Sequence, residues 1–199
     1  MTTWLNWPNR ITIARILMVA PLVICLLNLN TGWMGWRHVA LGLFAVTAAG
    51  DALDGFLARR LKEETPLGRF LDPVADKLLI VCMVILLATD TTAVPGFKLP
   101  SWVPVIAIGK EVVTVIGFGL VYVTTGEFFV QPRICGKACT LVQLTTIAFC
   151  LLAPDMAPVL QRVWPVLYWL ASLLAIIAMM DYLRIGNRFA AEHHATAQR

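Results

Sequence analysis

The sequence predicts an all-α, polytopic membrane protein of six transmembrane helices, with the N- and C-termini in the cytoplasm. Of its 199 residues, 59% are hydrophobic and 14% are charged, whereas soluble domains average roughly 45–50% and about 25%. The mean hydropathy is +0.76. A disordered, collagen-like or disulfide-framework chain is therefore excluded. Six apolar segments approach the ~20 residues that cross a bilayer, and they are 11–29, 37–57, 75–93, 101–124, 137–153 and 161–183.

The connections between these segments are short and contain turn residues, which makes consecutive helices antiparallel neighbours. We expect residues 1–199 to form a single membrane domain. No small-residue cleavage site follows the first segment, so we expect that segment to remain as a span. The five cysteines lie in or beside apolar segments, and we interpret them as small helix residues.

Lysine and arginine are distributed unequally over the two sides of the predicted spans. One side carries twelve of them, whereas the other carries Arg37, Lys98 and Arg162. By the positive-inside rule, the side with twelve faces the cytoplasm. The formal net charge of +4 is too small to predict a nucleic-acid partner. Six of the seven tryptophans lie at segment ends, as interfacial anchors do, and we expect the deeper Trp169 to be packed inside the bundle.

Four carboxylates lie where the second span ends and the third begins: Asp51, Asp54, Asp72 and Asp76. On helices, spacings of three and four residues place each pair on one face. An ionised side chain in the membrane costs at least a few kcal/mol by insertion scales, so the cluster needs compensating charge. If the two helices are antiparallel neighbours, the four acids converge at the cytoplasmic mouth of the bundle. Hard divalent ions such as Mg²⁺, or Mn²⁺, suit ligands that are all oxygen.

Two residues beside the acids indicate a phosphate ligand at the same mouth. Gly55 lets a ligand approach the helix backbone closely, and Arg59 presents a planar donor fork one turn further along. The alternative is that the aspartates form buried salt bridges with Arg59, Arg60, Arg69 and Lys77. Four acids at two helical spacings, beside a glycine, favour the ligand site.

From 51 to 76 the sequence reads Asp-Ala-Leu-Asp-Gly-Phe-Leu-Ala-Arg, then eight residues, Gly68, three residues, Asp72, three residues and Asp76. This stretch resembles, without a gap, the Asp-x-x-Asp-Gly-x-x-Ala-Arg-(x)8-Gly-x-x-x-Asp-x-x-x-Asp signature of the CDP-alcohol phosphatidyltransferases. Residues 7–15 also resemble the Pro-Asn-x-x-Thr-x-x-Arg start of that family's first helix. The six-span plan agrees as well, so the resemblance covers nearly the whole chain.

The resemblance implies a membrane enzyme of phospholipid biosynthesis that moves the phosphatidyl group of CDP-diacylglycerol to an alcohol and releases CMP. It implies that the four aspartates hold one or two divalent ions, and that Asp76 is also the catalytic base that deprotonates the attacking hydroxyl. The residues implied to shape or contact the CMP and diphosphate site are Gly55, Ala58, Arg59 and Gly68.

Two acceptors fit the later half of the chain. Family members that use glycerol 3-phosphate commonly carry Arg-Glu early in the fourth helix, a second Arg two turns later, and Gly-Lys-x-Lys-Thr at the fifth. Here these positions hold Lys110-Glu111, Phe118 and, at 136–140, Gly-Lys-Ala-Cys-Thr. Residues 132–143 also resemble the Pro-x-x-x-Gly-Lys-x-x-Thr-x-x-Gln of members that make cardiolipin from phosphatidylglycerol. We place glycerol 3-phosphate slightly ahead of phosphatidylglycerol.

The candidate acceptor-binding residues are Lys110, Arg133, Lys137 and Arg184. A charge within a span, as at Lys110, is typical of a functional site. For Lys137 and Arg184, at helix ends, a role as positive-inside anchors is an equal alternative.

Intramembrane carboxylates are also typical of a divalent-cation transporter or a proton relay. Here the acids cluster at one mouth and do not continue across the bilayer, where Glu111 is the only other deep acid. We therefore favour an integral enzyme of the cytoplasmic (inner) membrane, with its active site facing the cytoplasm. Its expected partners are CDP-diacylglycerol, an alcohol acceptor and membrane lipids, and the sequence leaves a homodimer open.

Overall fold

The computed structural model describes the backbone at 7–31, 35–61, 66–125 and 134–197, and the side chains at 13–31, 35–50, 77–117 and 135–184. The described residues contain helices and no strands, which confirms the all-α prediction for them. The helices are α1 Trp7–Leu27, α2 Gly35–Leu61, α3 Pro66–Ala88, α4 Trp102–Thr125, α5 Ile134–Leu152, the short α6 Pro158–Gln161, and α7 Trp164–Ala197.

Each predicted apolar segment corresponds to one long helix, but several helices extend beyond the apolar residues. Helix α2 continues through the basic residues to Leu61, and α7 continues to Ala197. Arginine, lysine and glutamate are good helix formers, so a helix does not end where hydropathy falls. Helix α3 begins at Pro66, where a proline needs no backbone hydrogen bond.

Among the described residues, two helical segments are long and apolar enough to cross a membrane, Cys135–Asp155 and Pro158–Arg184. Two shorter stretches, Ile13–Leu27 and Lys77–Ala88, are also apolar helix. Helix α3 has 23 residues, which at 1.5 Å per residue makes it about 34 Å long. These features agree with a membrane protein.

The long helices pack as two groups of three. Helix α1 contacts both α2 and α3, while α7 contacts both α4 and α5. Contacts of α3 with α4, and of α2 and α3 with α5, join the two groups. The residues completely buried at these contacts include Leu22, Leu26, Met83, Leu87 and Ile147. The signature and the candidate acceptor residues therefore lie in different groups of helices.

Small residues line the contact between α5 and α7. Cys139 is fully buried there against Ala175 and Ala178. Small side chains let two helix backbones approach closely, which is a common basis of helix association in membranes. All five cysteines are free thiols, in agreement with their interpretation as small helix residues.

Three connections meet at one end of the bundle, which we call the aromatic end: residues 28–31, 89–101 and 153–163. The Asn30 side-chain amide donates a hydrogen bond to the Thr91 carbonyl at 2.7 Å. Phe97 and Trp164 meet edge to face, with ring centroids 6.1 Å apart. Because α1, α3 and α5 all end here, the long helices run in alternate directions. The C-terminal parts of α2 and α4 and the N-terminal parts of α3 and α5 lie at the opposite end, which we call the signature end.

The charged groups of the aromatic end pair close to its surface. One Arg37 nitrogen lies 2.5 Å from an Asp155 oxygen, and another donates to the Leu151 carbonyl at 3.3 Å. Lys98 and Asp90 form a second, exposed pair at 2.5 Å. The hydrogen bond from Arg37 holds the pKa of the Asp155 carboxyl below its usual range. These pairs tie α2 to the end of α5 and close the connection between α3 and α4.

The prediction that Trp169 is buried is wrong. This side chain is 61% exposed and faces outward from α7, although its ring lies 4.6 Å from that of Trp102. Hydropathy locates a residue along a span but does not determine which face of the helix it occupies. In a narrow bundle much of each helix surface faces outward, and an aromatic ring is stable there in lipid.

Candidate active site

The signature lies on two helices at the signature end. Asp51 and Asp54 are in the last part of α2, while Asp72 and Asp76 are in the first part of α3. Because the backbone is helical at all four positions, it retains the spacings on which the prediction of paired carboxylates rests. The side chains from 51 to 76 lie outside the described residues, and so do those of Gly55, Ala58, Arg59 and Gly68. Their convergence stays a prediction.

Helix α1 brings a buried arginine to the start of this region. Arg15 is only 5% exposed. Its Cδ lies 3.6 Å from where a Cβ on Gly50 would be, and Gly50 directly precedes Asp51. The close packing of α1 on α2 thus places a permanently charged side chain beside the first residue of the signature. Arg15 belongs to the stretch of the first helix in which the sequence resembles the family.

A buried ion cluster lies between α3 and α4, and it consists of Lys77, Lys110 and Glu111. The Lys110 ammonium is 2.5 Å from one Glu111 oxygen, and the Lys77 ammonium is 3.1 Å from the other. Lys110 and Glu111 are 4% and 7% exposed. Two ammonium groups and one carboxylate leave a formal charge of +1. A buried charge is expensive unless it is paired, and here one carboxylate pairs with both ammonium groups.

The other candidate acceptor residues differ from Lys110 in their surroundings. Lys137, near the start of α5, and Arg184, on α7, are exposed. Arg133 lies outside the described residues. Lys110 is therefore buried inside the bundle, and its role in binding the acceptor stays a prediction. Lys137 and Arg184 keep either of the two roles that the sequence indicates.

Gly136, directly before Lys137, makes room for a side chain of α7. A Cβ at this position would lie 2.8 Å from the Tyr182 hydroxyl oxygen and 3.8 Å from its Cζ. Such a distance is too short for any ordinary contact, so a larger residue would displace the tyrosine. The glycine thus fixes how closely the start of α5 approaches α7.

Gln143 is buried in the core of the bundle. It is the last residue of the stretch 132–143, which resembles the family members that make cardiolipin. It is 4% exposed, and its carbonyl oxygen accepts no hydrogen bond from the described residues. It lines a cavity of about 10 Å³ together with Thr146 and Ser172. Such a volume suits a single water molecule, so this residue lies inside the bundle and not in an open acceptor pocket.

Sequence reasoning identified Lys110 but missed the partnership of Glu111 and Lys77. The sequence contains a signal for it, because Glu111 is the only acid deep in the second half of the chain and an isolated intramembrane acid requires a cation. The partner on α3 was not predictable, since it depends on how α3 and α4 are rotated against each other. Among the described residues no three metal-ligating side chains cluster.

Comparison with known proteins agrees with the signature. The family model described as CDP-alcohol phosphatidyltransferase matches residues 5–182. The chain belongs to this family. The match begins before α1 and ends within α7, so family membership concerns the whole bundle and not only the eight signature positions.

Three curated relatives of this family member carry two different names. A Bacillus subtilis protein is 32% identical over 160 residues, 74% of this chain and 77% of that protein. One from Pseudomonas fluorescens is 42% identical over 109 residues, covering 55% of this chain and 52% of that protein. Both are named CDP-diacylglycerol–glycerol-3-phosphate 3-phosphatidyltransferase. A rice protein, 38% identical over 112 residues, which is 54% of this chain and 33% of that protein, is named cardiolipin synthase (CMP-forming).

Proposed function

We propose that the chain transfers the phosphatidyl group of CDP-diacylglycerol to glycerol 3-phosphate, which yields phosphatidylglycerophosphate and CMP. The observation that carries this proposal is the eight-position signature on the helical ends of α2 and α3. Family membership supports the donor and the reaction class. The acceptor is supported by the names of the Bacillus and Pseudomonas relatives.

The donor set fits a divalent metal. Asp51, Asp54, Asp72 and Asp76 offer only carboxylate oxygens, which Mg²⁺ and Mn²⁺ prefer, at helical spacings that the backbone retains. When bound, the metal supplies charge neutralisation between the acids and the diphosphate and stabilises the leaving CMP. In this proposal Asp76 accepts the proton of the attacking hydroxyl, and Gly55, Ala58, Arg59 and Gly68 bind the CDP group.

The acceptor's anionic group is assigned to the cationic side chains of α3 to α7. The buried cluster of Lys77, Lys110 and Glu111 has a surplus positive charge one residue from Asp76 on α3. Arg133, Lys137 and Arg184 are assigned to the same acceptor from the later helices. A phosphate monoester binds best to several cationic donors, so we assign these cationic side chains together to one acceptor site.

We also propose a six-span topology in the cytoplasmic membrane. The less basic side has three cations, and all of them lie at the aromatic end. Arg37 is at the start of α2, while Lys98 and Arg162 are in the connections of that end. By the positive-inside rule this end faces away from the cytoplasm. The signature end and both termini then face the cytoplasm, where CDP and a polar acceptor are soluble.

Phosphatidylglycerol is the second candidate acceptor, and two observations favour it. One is the similarity to the rice cardiolipin synthase. The other is Phe118, which stands where users of glycerol 3-phosphate commonly carry a second arginine. A diester has one negative charge and needs fewer cations than a monoester.

A product assay separates these candidates. The purified chain in CDP-diacylglycerol micelles with Mg²⁺ is offered glycerol 3-phosphate, phosphatidylglycerol, inositol phosphate and serine in parallel. CMP release with phosphatidylglycerophosphate as product is the expected result, and the Asp54→Asn variant is the inactive control. Cardiolipin as the product would support the second candidate. Mg²⁺ flux into proteoliposomes without CMP release would instead indicate a transporter and contradict both.

A further inference from the structure

Glu111 is shared by two lysines that come from different helices. Its two carboxylate oxygens face Lys110 on its own helix, α4, at 2.5 Å, and Lys77 on α3 at 3.1 Å. Glu111 and Lys110 are buried, while about a quarter of the Lys77 side chain, 27%, is exposed. The carboxylate therefore fixes two ammonium groups at one place between the two helices.

Electrostatics explains why this bridge determines the positions of the lysines. Two ammonium groups that contact the two oxygens of one carboxylate lie close enough to repel each other. Without the carboxylate, this repulsion drives the two ammonium groups apart. With it, both are held at hydrogen-bonding distance, and a single positive charge remains for an incoming anion.

We propose that Glu111 is a positioning residue for the acceptor, which holds the Lys110 and Lys77 ammonium groups where the acceptor's anionic group binds. The inference rests on the proposed function. It adds a residue to the predicted acceptor set, and it assigns that residue a role through the lysines and not through direct contact. The location beside Asp76 on α3 connects the acceptor's charged group to the proposed base.

The first test is Glu111→Gln, which retains the size of the side chain and removes its charge. With the acceptor that the wild-type chain uses, we expect the acceptor KM to rise about tenfold and the donor KM to change less than twofold. Glu111→Asp restores the charge and should recover most of this loss. Equal changes of both KM values in Glu111→Gln would overturn the positioning role.

A double variant separates positioning from charge balance, and it avoids leaving two neighbouring lysines without their carboxylate. Lys77→Met with Glu111→Gln retains one lysine, so the cluster keeps its formal charge of +1 without the bridge. We expect the acceptor KM to stay about tenfold above that of the wild type. A KM restored to the wild-type value would show that Glu111 only balances charge, and the proposal would be wrong.

The matched control is Asp90→Asn at the aromatic end. Asp90 pairs with Lys98 at the same 2.5 Å distance, but in an exposed connection. Both KM values should stay at the wild-type level in this variant, and a rise equal to that of Glu111→Gln would contradict the inference. A wild-type chain that gives no product from any acceptor would contradict the proposed function itself. An active wild type with an unchanged KM in Glu111→Gln would contradict only the role of Glu111.

Discussion

The aromatic end and the interior of the bundle contain similar charged groups in different surroundings. At the aromatic end, Arg37 with Asp155 and Lys98 with Asp90 pair beside the connections, and the carboxylates are well exposed. In the interior of the bundle, Lys110 and Glu111 on α4 are almost completely buried between helices. The distances of 2.5 Å are the same, so the surroundings make the difference.

Exposed pairs are screened by water and salt, and they typically contribute little to stability. A buried group of three charges is costly to form, and replacing it by apolar residues often stabilises a protein. The charges of Lys77, Lys110 and Glu111 are therefore expected to contribute little to stability. This favours a role for them in binding. Charged residues of the aromatic end should affect folding only, whereas those of the interior and of the signature end should affect catalysis.

The largest difference between the two ends is expected from the signature acids. Asp72→Asn removes one proposed metal ligand, so turnover should fall by orders of magnitude while the variant still inserts and folds. CMP release and the thermal unfolding temperature are measured on the same preparation. EDTA should abolish the activity of the wild type and excess Mg²⁺ should restore it. Full activity in EDTA would contradict a metal site.

A smaller effect on the acceptor alone is expected from Lys137→Ala. A hydrogen bond to a charged group contributes about 1.5–3 kcal/mol, so the KM for glycerol 3-phosphate should rise roughly ten- to a hundredfold. The donor KM should remain nearly unchanged. Steady-state kinetics with each substrate varied in turn measures both values. A donor KM that rises equally would place Lys137 in the CDP site, and an unchanged acceptor KM would favour a membrane anchor.

Gly136→Ala tests whether the approach of α5 to α7 matters at the signature end. The new methyl group would lie 2.8 Å from the Tyr182 hydroxyl oxygen, so overpacking should cost about 1–3 kcal/mol of stability. Tyr182→Phe removes that oxygen, and the nearest remaining ring atom is at an ordinary contact distance. The double variant should therefore recover most of the lost unfolding temperature. If it does not, the contact with Tyr182 is not the cause.

The smallest effect is expected at the aromatic end, from Asp155→Asn. Arg37 lowers the pKa of Asp155 in the folded chain. The pair therefore stabilises the fold above the unfolded pKa, near 4, and this contribution is lost as the pH falls through the folded pKa. The wild type should unfold at a slightly higher temperature than the variant at pH 7, and the difference should vanish in acid. CMP release should be unchanged in the variant.

The sequence predicted the order of the six long helices and the position of the signature. Apolar length and fixed spacing are local properties that a single chain displays directly. The rotation of each helix about its axis was not predictable, because lipid and a helix interface both accept apolar side chains. For this reason Trp169 was wrongly expected inside, and neither the partnership of Lys77 with Glu111 nor the contact of Gly136 with Tyr182 was foreseen.

The pairing of Arg37 also constrains the order in which the bundle assembles during synthesis. Its acceptor, the Leu151 carbonyl, lies 114 residues later in the chain. At about 5–20 residues per second, that carbonyl is made roughly 6–23 s after Arg37. Helices α1, α2 and α3 are complete by then and already able to pack together. The arginine at the start of α2 thus has to wait for α5 before this hydrogen bond can form, so the contact between α2 and α5 is a late one.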